Sequence, residues 1–321
     1  MHGTVKSVWP LGTRVLLGRD TLGSPGDGGH NVSLPMSSGA EPRTKSSTEP
    51  EFRMILPSRA DNVAVVRQAL AGAIEVLGLN ESRLLDINTA VSEACNNVVV
   101  HAYEGEEGPL EVNLCVQDSD LEVIVRDHGV GIRPRAPEPG LEVQGLGLSL
   151  IQTLSDRVEF MGGISQGTEV RMAFSLNGQS ESWVQNLPTE TGEVRRPPGE
   201  LVISVSAGPL AAPVLGRVIA MLAARANFSL EGISEAQLVT DSLAANVPRV
   251  LIGGKIQLGV DTPPEQLLVR VGPLEEGGAG RIMDASALAE LPPVLERLTK
   301  DHRIEGSPDG ELLCLTLVNP H

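Results

Sequence analysis

The sequence predicts an α+β fold: a two-layer α/β sandwich followed by a second, degenerate copy of the same pattern. Three observations predict it. Two consecutive stretches carry apolar residues at helical spacing. Short alternating stretches follow in pairs, as antiparallel hairpins do. The same succession then returns at an offset near 144 to 148 residues, as an internal duplication requires. With 41% hydrophobic residues, a chain of 321 residues can bury two cores of ordinary size.

Residues 1–50 are rich in Gly, Ser, Pro and Thr, show no period, and are expected to be a disordered extension. Residues 52–56 read as a short strand. Residues 61–78 place Val65, Val66, Ala69, Leu70, Ala73, Ile74 and Leu77 on one helical face. Residues 81–103 read as a second helix, with Leu84, Ile87, Val91, Ala94, Cys95 and Val98 facing the core. Strands 110–117 and 121–126 form one hairpin, residues 146–155 a helix, and strands 157–161 and 167–175 another hairpin. Hairpins with helices on one face give a two-layer sandwich over 51–176. Residues 177–200, polar and containing Pro197-Pro198, read as a linker to a domain over 201–321.

Composition excludes several roles. The net charge is -16, which repels nucleic-acid backbones, and aromatics are 2%, too few for base-stacking platforms. Nucleic acid is therefore not expected as a partner, whereas the acidity could steer a basic protein. No window has the ~18 uninterrupted apolar residues of a membrane helix, and no secretory pattern opens the chain. Cys95, Cys115 and Cys314 are odd in number and lack metal-ligand spacing, which fits a reducing cytoplasm.

Four clusters carry the chemistry. Glu93, Asn97 and His101 are spaced i, i+4, i+8 on the second helix and share one stripe. An isolated Glu or Asn on a helix is usually a solvated residue; this row is bordered by apolar side chains. The Asn oxygen suits a hard cation such as Mg²⁺, and a Glu one turn away can take a proton from a hydroxyl. Next, "VRDHGVGI" ends a strand in Asp127, with Gly129 and Gly131 bracketing Val130. A carboxylate there can accept from an exocyclic amine such as that of adenine, and the glycines let the backbone approach a flat ligand. Third, "QGLGLSLI" sets Gly145, Leu146, Gly147 and Leu148 at a helix start, where unpartnered amides favour anions. The proline-rich stretch before it reads as a loop over the site. Fourth, in "GTEVRM", Gly167 turns a hairpin and Thr168 offers a hydroxyl.

In order and spacing these clusters resemble the nucleotide-binding boxes of the gyrase, heat-shock chaperone, histidine kinase and MutL superfamily, the Bergerat or histidine-kinase-like ATPase fold. "SEACNNVVVHAY" looks like the N box, "DHGVGI" the first glycine box, "GLGL" the second, and "GTEV" the closing threonine strand. The E-A-x-x-N with H-A-Y form is similar to the anti-sigma-factor serine protein kinases. The resemblance implies ATP and Mg²⁺ as cofactors, with Mg²⁺ on Asn97 and Glu93 as the base for a serine hydroxyl. It implies Asp127 on the adenine amine with Thr168 nearby, Gly129 and Gly131 close to the base, and Gly145 to Leu148 by the phosphates. Asn96 and His101 match the box with less defined roles, and Tyr103 is expected to pack. The implied substrate is a STAS-type anti-anti-sigma protein, and the implied second partner is a sigma factor. Two other activities use the same boxes: an ATP-binding module that sequesters a protein without catalysis, and an ATP hydrolase clamp.

Residues 201–321 align with the first half so that Asp241 faces Glu93, Ala245 faces Asn97 and Pro273 faces Asp127. This predicts a half without a nucleotide site, and the chain is expected to be either a homodimer, as the resemblance implies, or an intramolecular pseudo-dimer in which this half replaces the second subunit.

Overall fold

The computed structural model describes residues 15–18, 50–117, 120–131, 146–163, 166–176, 195–285 and 293–320. Strand β2 (Phe52–Pro57) alternates buried and half-buried residues, so Phe52, Met54 and Leu56 line one face. Helix α1 (Asn62–Val76) buries Val65, Val66, Ala69, Leu70, Ala73 and Ile74 as its spacing predicts. Helix α2 (Glu81–Asn97) opens on Asn80, whose side chain accepts the Arg83 N–H and satisfies one orphan donor. It continues into a single π-helical turn, Val98–Ala102, where an uninterrupted helix was expected to 103. Strands β3 (Pro109–Gln117) and β4 (Asp120–Arg126), helix α3 (Leu146–Leu154), and strands β5 (Arg157–Gly162) and β6 (Thr168–Ser175) complete the first half. Arg83 ties α2 to the sheet through Asp156, with its guanidinium 5.6 Å from the Phe174 ring centre.

Within the first fifty residues one element is described where none was expected. Val15–Gly18 form β1, antiparallel to β5. A free β5 edge would leave backbone donors and acceptors unpaired, and four residues are too short a run to show a period in the sequence. The rest of 1–49, the loop 132–145 and the linker 177–194 lie outside the described residues.

The second half repeats the order: β7 (Leu201–Ser206), α4 (Ala211–Arg225), α5 (Leu230–Asn246) and a short 3-10 turn, then β8 (Lys255–Asp261), β9 (Gln266–Leu274), α6 (Gly278–Met283), α7 (Val294–Leu298), β10 (Asp301–Ser307) and β11 (Gly310–Val318). Among the described residues all strands share one sheet, in the order β1-β5-β6-β4-β3-β2-β7-β8-β9-β11-β10. The halves join where β2 and β7 pair antiparallel, Phe52 opposite Val205 and Ile55 opposite Val202. Above that seam α1 lies on α4 so closely that a Cβ on Gly72 would sit 2.5 Å from the Pro213 carbonyl oxygen. Arg217–Glu75 (2.7 Å) and Arg225–Asp61 (2.5 Å) bridge the two helices' rims. One hydrophobic cluster runs through both halves.

The alignment of the halves needs one correction. Helices α2 and α5 have 17 residues each, and Ala236, Val239, Thr240 and Leu243 are buried where Ile87, Ala90, Val91 and Ala94 are. That correspondence puts Ser242, not Asp241, opposite Glu93, and Asn246, not Ala245, opposite Asn97. In the sheet, Leu114 pairs with Val123 in β3–β4 and Val260 with Val269 in β8–β9, which keeps Pro273 opposite Asp127.

Candidate functional site

The last turn of α2 presents Glu93 and Asn97, both half-buried, toward the start of α3. A Cβ on Gly147 would lie 3.0 Å from Glu93 Oε2 and 3.9 Å from Asn97 Oδ1. The two side-chain oxygens therefore both face the Gly147 backbone, Glu93 Oε2 the closer of the two. Among the described residues no group of three His, Cys, Asp or Glu side chains forms a metal cage. The Asn97 amide oxygen fits Mg²⁺ when phosphate and water complete the shell, since Mg²⁺ keeps much of its water, and leaves the Glu93 carboxylate free to take a proton.

The second cluster lies past the π turn. Asp127 follows β4, is 4% exposed, and donates its N–H to Thr168 O at 2.9 Å. Its Oδ1 accepts the Gly129 N–H at 2.8 Å. The Val130 N–H reaches Ala102 O at 2.9 Å, and a Cβ on Gly129 would come 1.9 Å from that same oxygen. Gly167 adopts φ +73°, and a Cβ there would meet Asp127 O at 2.2 Å. Gly131 in turn abuts Gly163. The glycines thus weave three segments into one wall: the π turn, the 127–131 turn and the 163–167 connection. An open pocket lies along it, lined by Ala102, Tyr103, Glu104, His128, Gly129 and Val130.

The predicted residues are distributed as follows. Glu93, Asn97 and Gly147 meet at one end of the π turn; Asp127, Gly129, Gly131 and Thr168 meet at the other. Asn96 and His101 are exposed, as is Leu148 at 50%. The wider π turn takes His101 off the stripe it would hold on a continuous α-helix. Leu146 begins α3, and Gly145 lies outside the described residues. Tyr103 does more than pack. Its hydroxyl accepts the His128 N–H at 2.9 Å and donates to Pro109 O at 2.6 Å.

In the second half Glu311 pairs with Leu274, beside a register shift in the β9–β11 ladder. Its carboxylate accepts the N–H groups of Gly277 at 2.9 Å and Ala279 at 3.2 Å. Gly278 lies against Val250 and Leu274, with a Cβ there 3.2 and 3.3 Å from theirs.

A helical layer on an antiparallel sheet, with an Asn–Glu pair and a glycine-flanked Asp at one end, defines a histidine kinase-like ATPase domain. The model of that family, "Histidine kinase-like ATPase domain", matches residues 56–174. The chain is 33% identical over 136 residues to the "Anti-sigma F factor" of Oceanobacillus iheyensis, covering 40% of this chain and 93% of that one. It is 32% identical over 123 residues to the "Serine-protein kinase RsbW" of Bacillus cereus, covering 35% of this chain and 77% of that one. A solved structure, "Structure of crystal form III of TP0453", aligns with a TM-score of 0.29 and 12% identity over 84% of this chain and 90% of that one; a likeness so slight carries no argument. The chain belongs to the anti-sigma-factor serine kinase family of histidine kinase-like ATPases. No helix among the described residues is long and apolar enough to cross a membrane.

Proposed function

We propose that the protein is an ATP- and Mg²⁺-dependent serine/threonine protein kinase acting as an anti-sigma regulator in the cytoplasm. In this reading the kinase domain spans 51–176, and 201–321 is a degenerate domain that stands in for a second subunit. The observation that carries the reading is that Glu93 and Asn97 both face Gly147, one π turn away from a buried Asp127. Relatives named anti-sigma F factor and serine-protein kinase support it. The substrate proposed is a STAS-type anti-anti-sigma protein, and the second partner a sigma factor.

The chemistry follows from the side chains. Asp127 accepts the adenine amine through the oxygen that Gly129 does not use. Asn97 Oδ1 would hold Mg²⁺, which when bound would supply the positive charge that spreads the charge developing on the transferring group. Glu93 takes the proton of the attacking hydroxyl as the new O–P bond forms and the bond to ADP breaks.

Transfer of labelled phosphate from ATP to a STAS partner tests this, with Glu93→Ala as control. The expected result is transfer by the wild type and a loss of about a hundredfold or more in the variant, the scale of general-base catalysis. Equal labelling would remove Glu93 from its role. ATP retained without transfer would favour a non-catalytic binding module, and phosphate release without an acceptor an ATP hydrolase clamp.

A further inference from the structure

The turn at residues 127–130 presents four successive backbone N–H groups, and each has a partner. Asp127 donates to Thr168 O, Gly129 to the turn's own Asp127 carboxylate, and Val130 to Ala102 O. The His128 N–H donates instead to a side chain from another element, the Tyr103 hydroxyl at 2.9 Å. That hydroxyl is itself anchored, donating to Pro109 O at 2.6 Å. The ring is seated against Gly108, where a Cβ would come 2.2 Å from it. Tyr103 therefore spans from the end of the π turn to the start of β3 and holds the Asp127 turn from outside.

We propose that Tyr103 is a positioning residue that fixes the Asp127 carboxylate and so sets the preference of the pocket for adenine over guanine. This rests on the assignment of Asp127 to the adenine amine. His128 is exposed, so water can take over its N–H when the hydroxyl is removed. Loss of the hydroxyl then loosens the turn without leaving a buried donor unpaired. A carboxylate aimed by a loosened turn discriminates less between an amine and a carbonyl.

Tyr103 is the chain's one tyrosine, and Tyr103→Phe keeps the ring while deleting both hydrogen bonds. The affinities of ATP and GTP would be measured by calorimetry, with and without Mg²⁺, for wild type, Tyr103→Phe and Asp127→Asn. In Tyr103→Phe the adenine preference is expected to fall about tenfold, the weight of one hydrogen bond. The gain from Mg²⁺ and the melting temperature should stay near wild type. Asp127→Asn should abolish the preference. If Asp127→Asn does so while Tyr103→Phe keeps the wild-type ratio, or weakens both nucleotides equally, the positioning role is overturned and the adenine assignment survives. If the wild type shows no adenine preference, the assignment falls and the proposal with it. Gly108→Ala, which keeps the hydroxyl but pushes the ring off its seat, should reproduce the loss; should Tyr103→Phe not fold, Gly108→Ala decides.

Discussion

Asn97 is half-buried near the end of α2, so its amide can be removed without opening the core. Asn97→Ala is expected to bring the ratio of ATP affinities with and without Mg²⁺ to about one, because the cation loses its side-chain oxygen. Its stability should move by only about 0.5 kcal/mol, as at an ordinary surface position. A collapsed melting temperature would make Asn97 structural. Two carboxylates predict opposite pH behaviour: buried Glu51, just before β2, and half-buried Glu169 in β6. Burial pushes Glu51 above the usual carboxylate range, against the Ser206 hydroxyl and Lys255, which pull it down. Its ionised form costs stability at neutral pH and nothing once both states are protonated. Glu51→Gln should therefore raise the melting temperature at pH 7 and hardly at pH 4. Glu169 is also desolvated, but its bonds to Arg126 and Arg171 outweigh burial and hold it low. Its stabilisation is present above the usual carboxylate range and lost as the pH falls through its lowered value, so Glu169→Gln should destabilise at pH 7 and less in acid. Shifts of one sign for both variants would contradict this. The Glu93–Asn97 pair was legible in the sequence because helical spacing brings residues four apart together. The bridge from Tyr103 was not, because its partners lie 6 and 25 residues away and only the fold unites them.

At the scale of elements, the α1–α4 seam sets two known effects against each other. Replacing a helical glycine by alanine usually gains up to ~1 kcal/mol. At Gly72 the added methyl would lie 2.5 Å from a backbone oxygen, which cannot swing aside like a side chain. Overpacking of this kind costs about 1–3 kcal/mol. Gly72→Ala should therefore lower the midpoint of chemical denaturation, and a raised midpoint would show that the helices are not in contact. The helices and hairpins were legible because apolar residues recur with periods of 3.6 and 2. Three features were not. β1 is too short to display a period, and it forms because β5 needs a partner. The π turn replaces a helix end whose residue pattern reads equally well as α. The register of α5 against α2 shows only in which positions are buried.

For the whole molecule, the second half pairs with the edge of β2 and packs on α1. We infer a monomer, and sedimentation velocity at micromolar concentration should give a single 33.9 kDa species. The second half carries Asn246 where Asn97 stands, yet Pro273 replaces Asp127, and Glu311 occupies the amides of Gly277 and Ala279. These differences motivate the proposal that the second half binds no purine. The proposed roles give one pocket per chain, with Asp127 taking the purine at one end and Asn97 the cation at the other. Calorimetric titration of the full chain with ATP, with and without Mg²⁺, tests it most directly. One ATP per chain is expected, bound more tightly with Mg²⁺. Two per chain, or no binding at all, would contradict it.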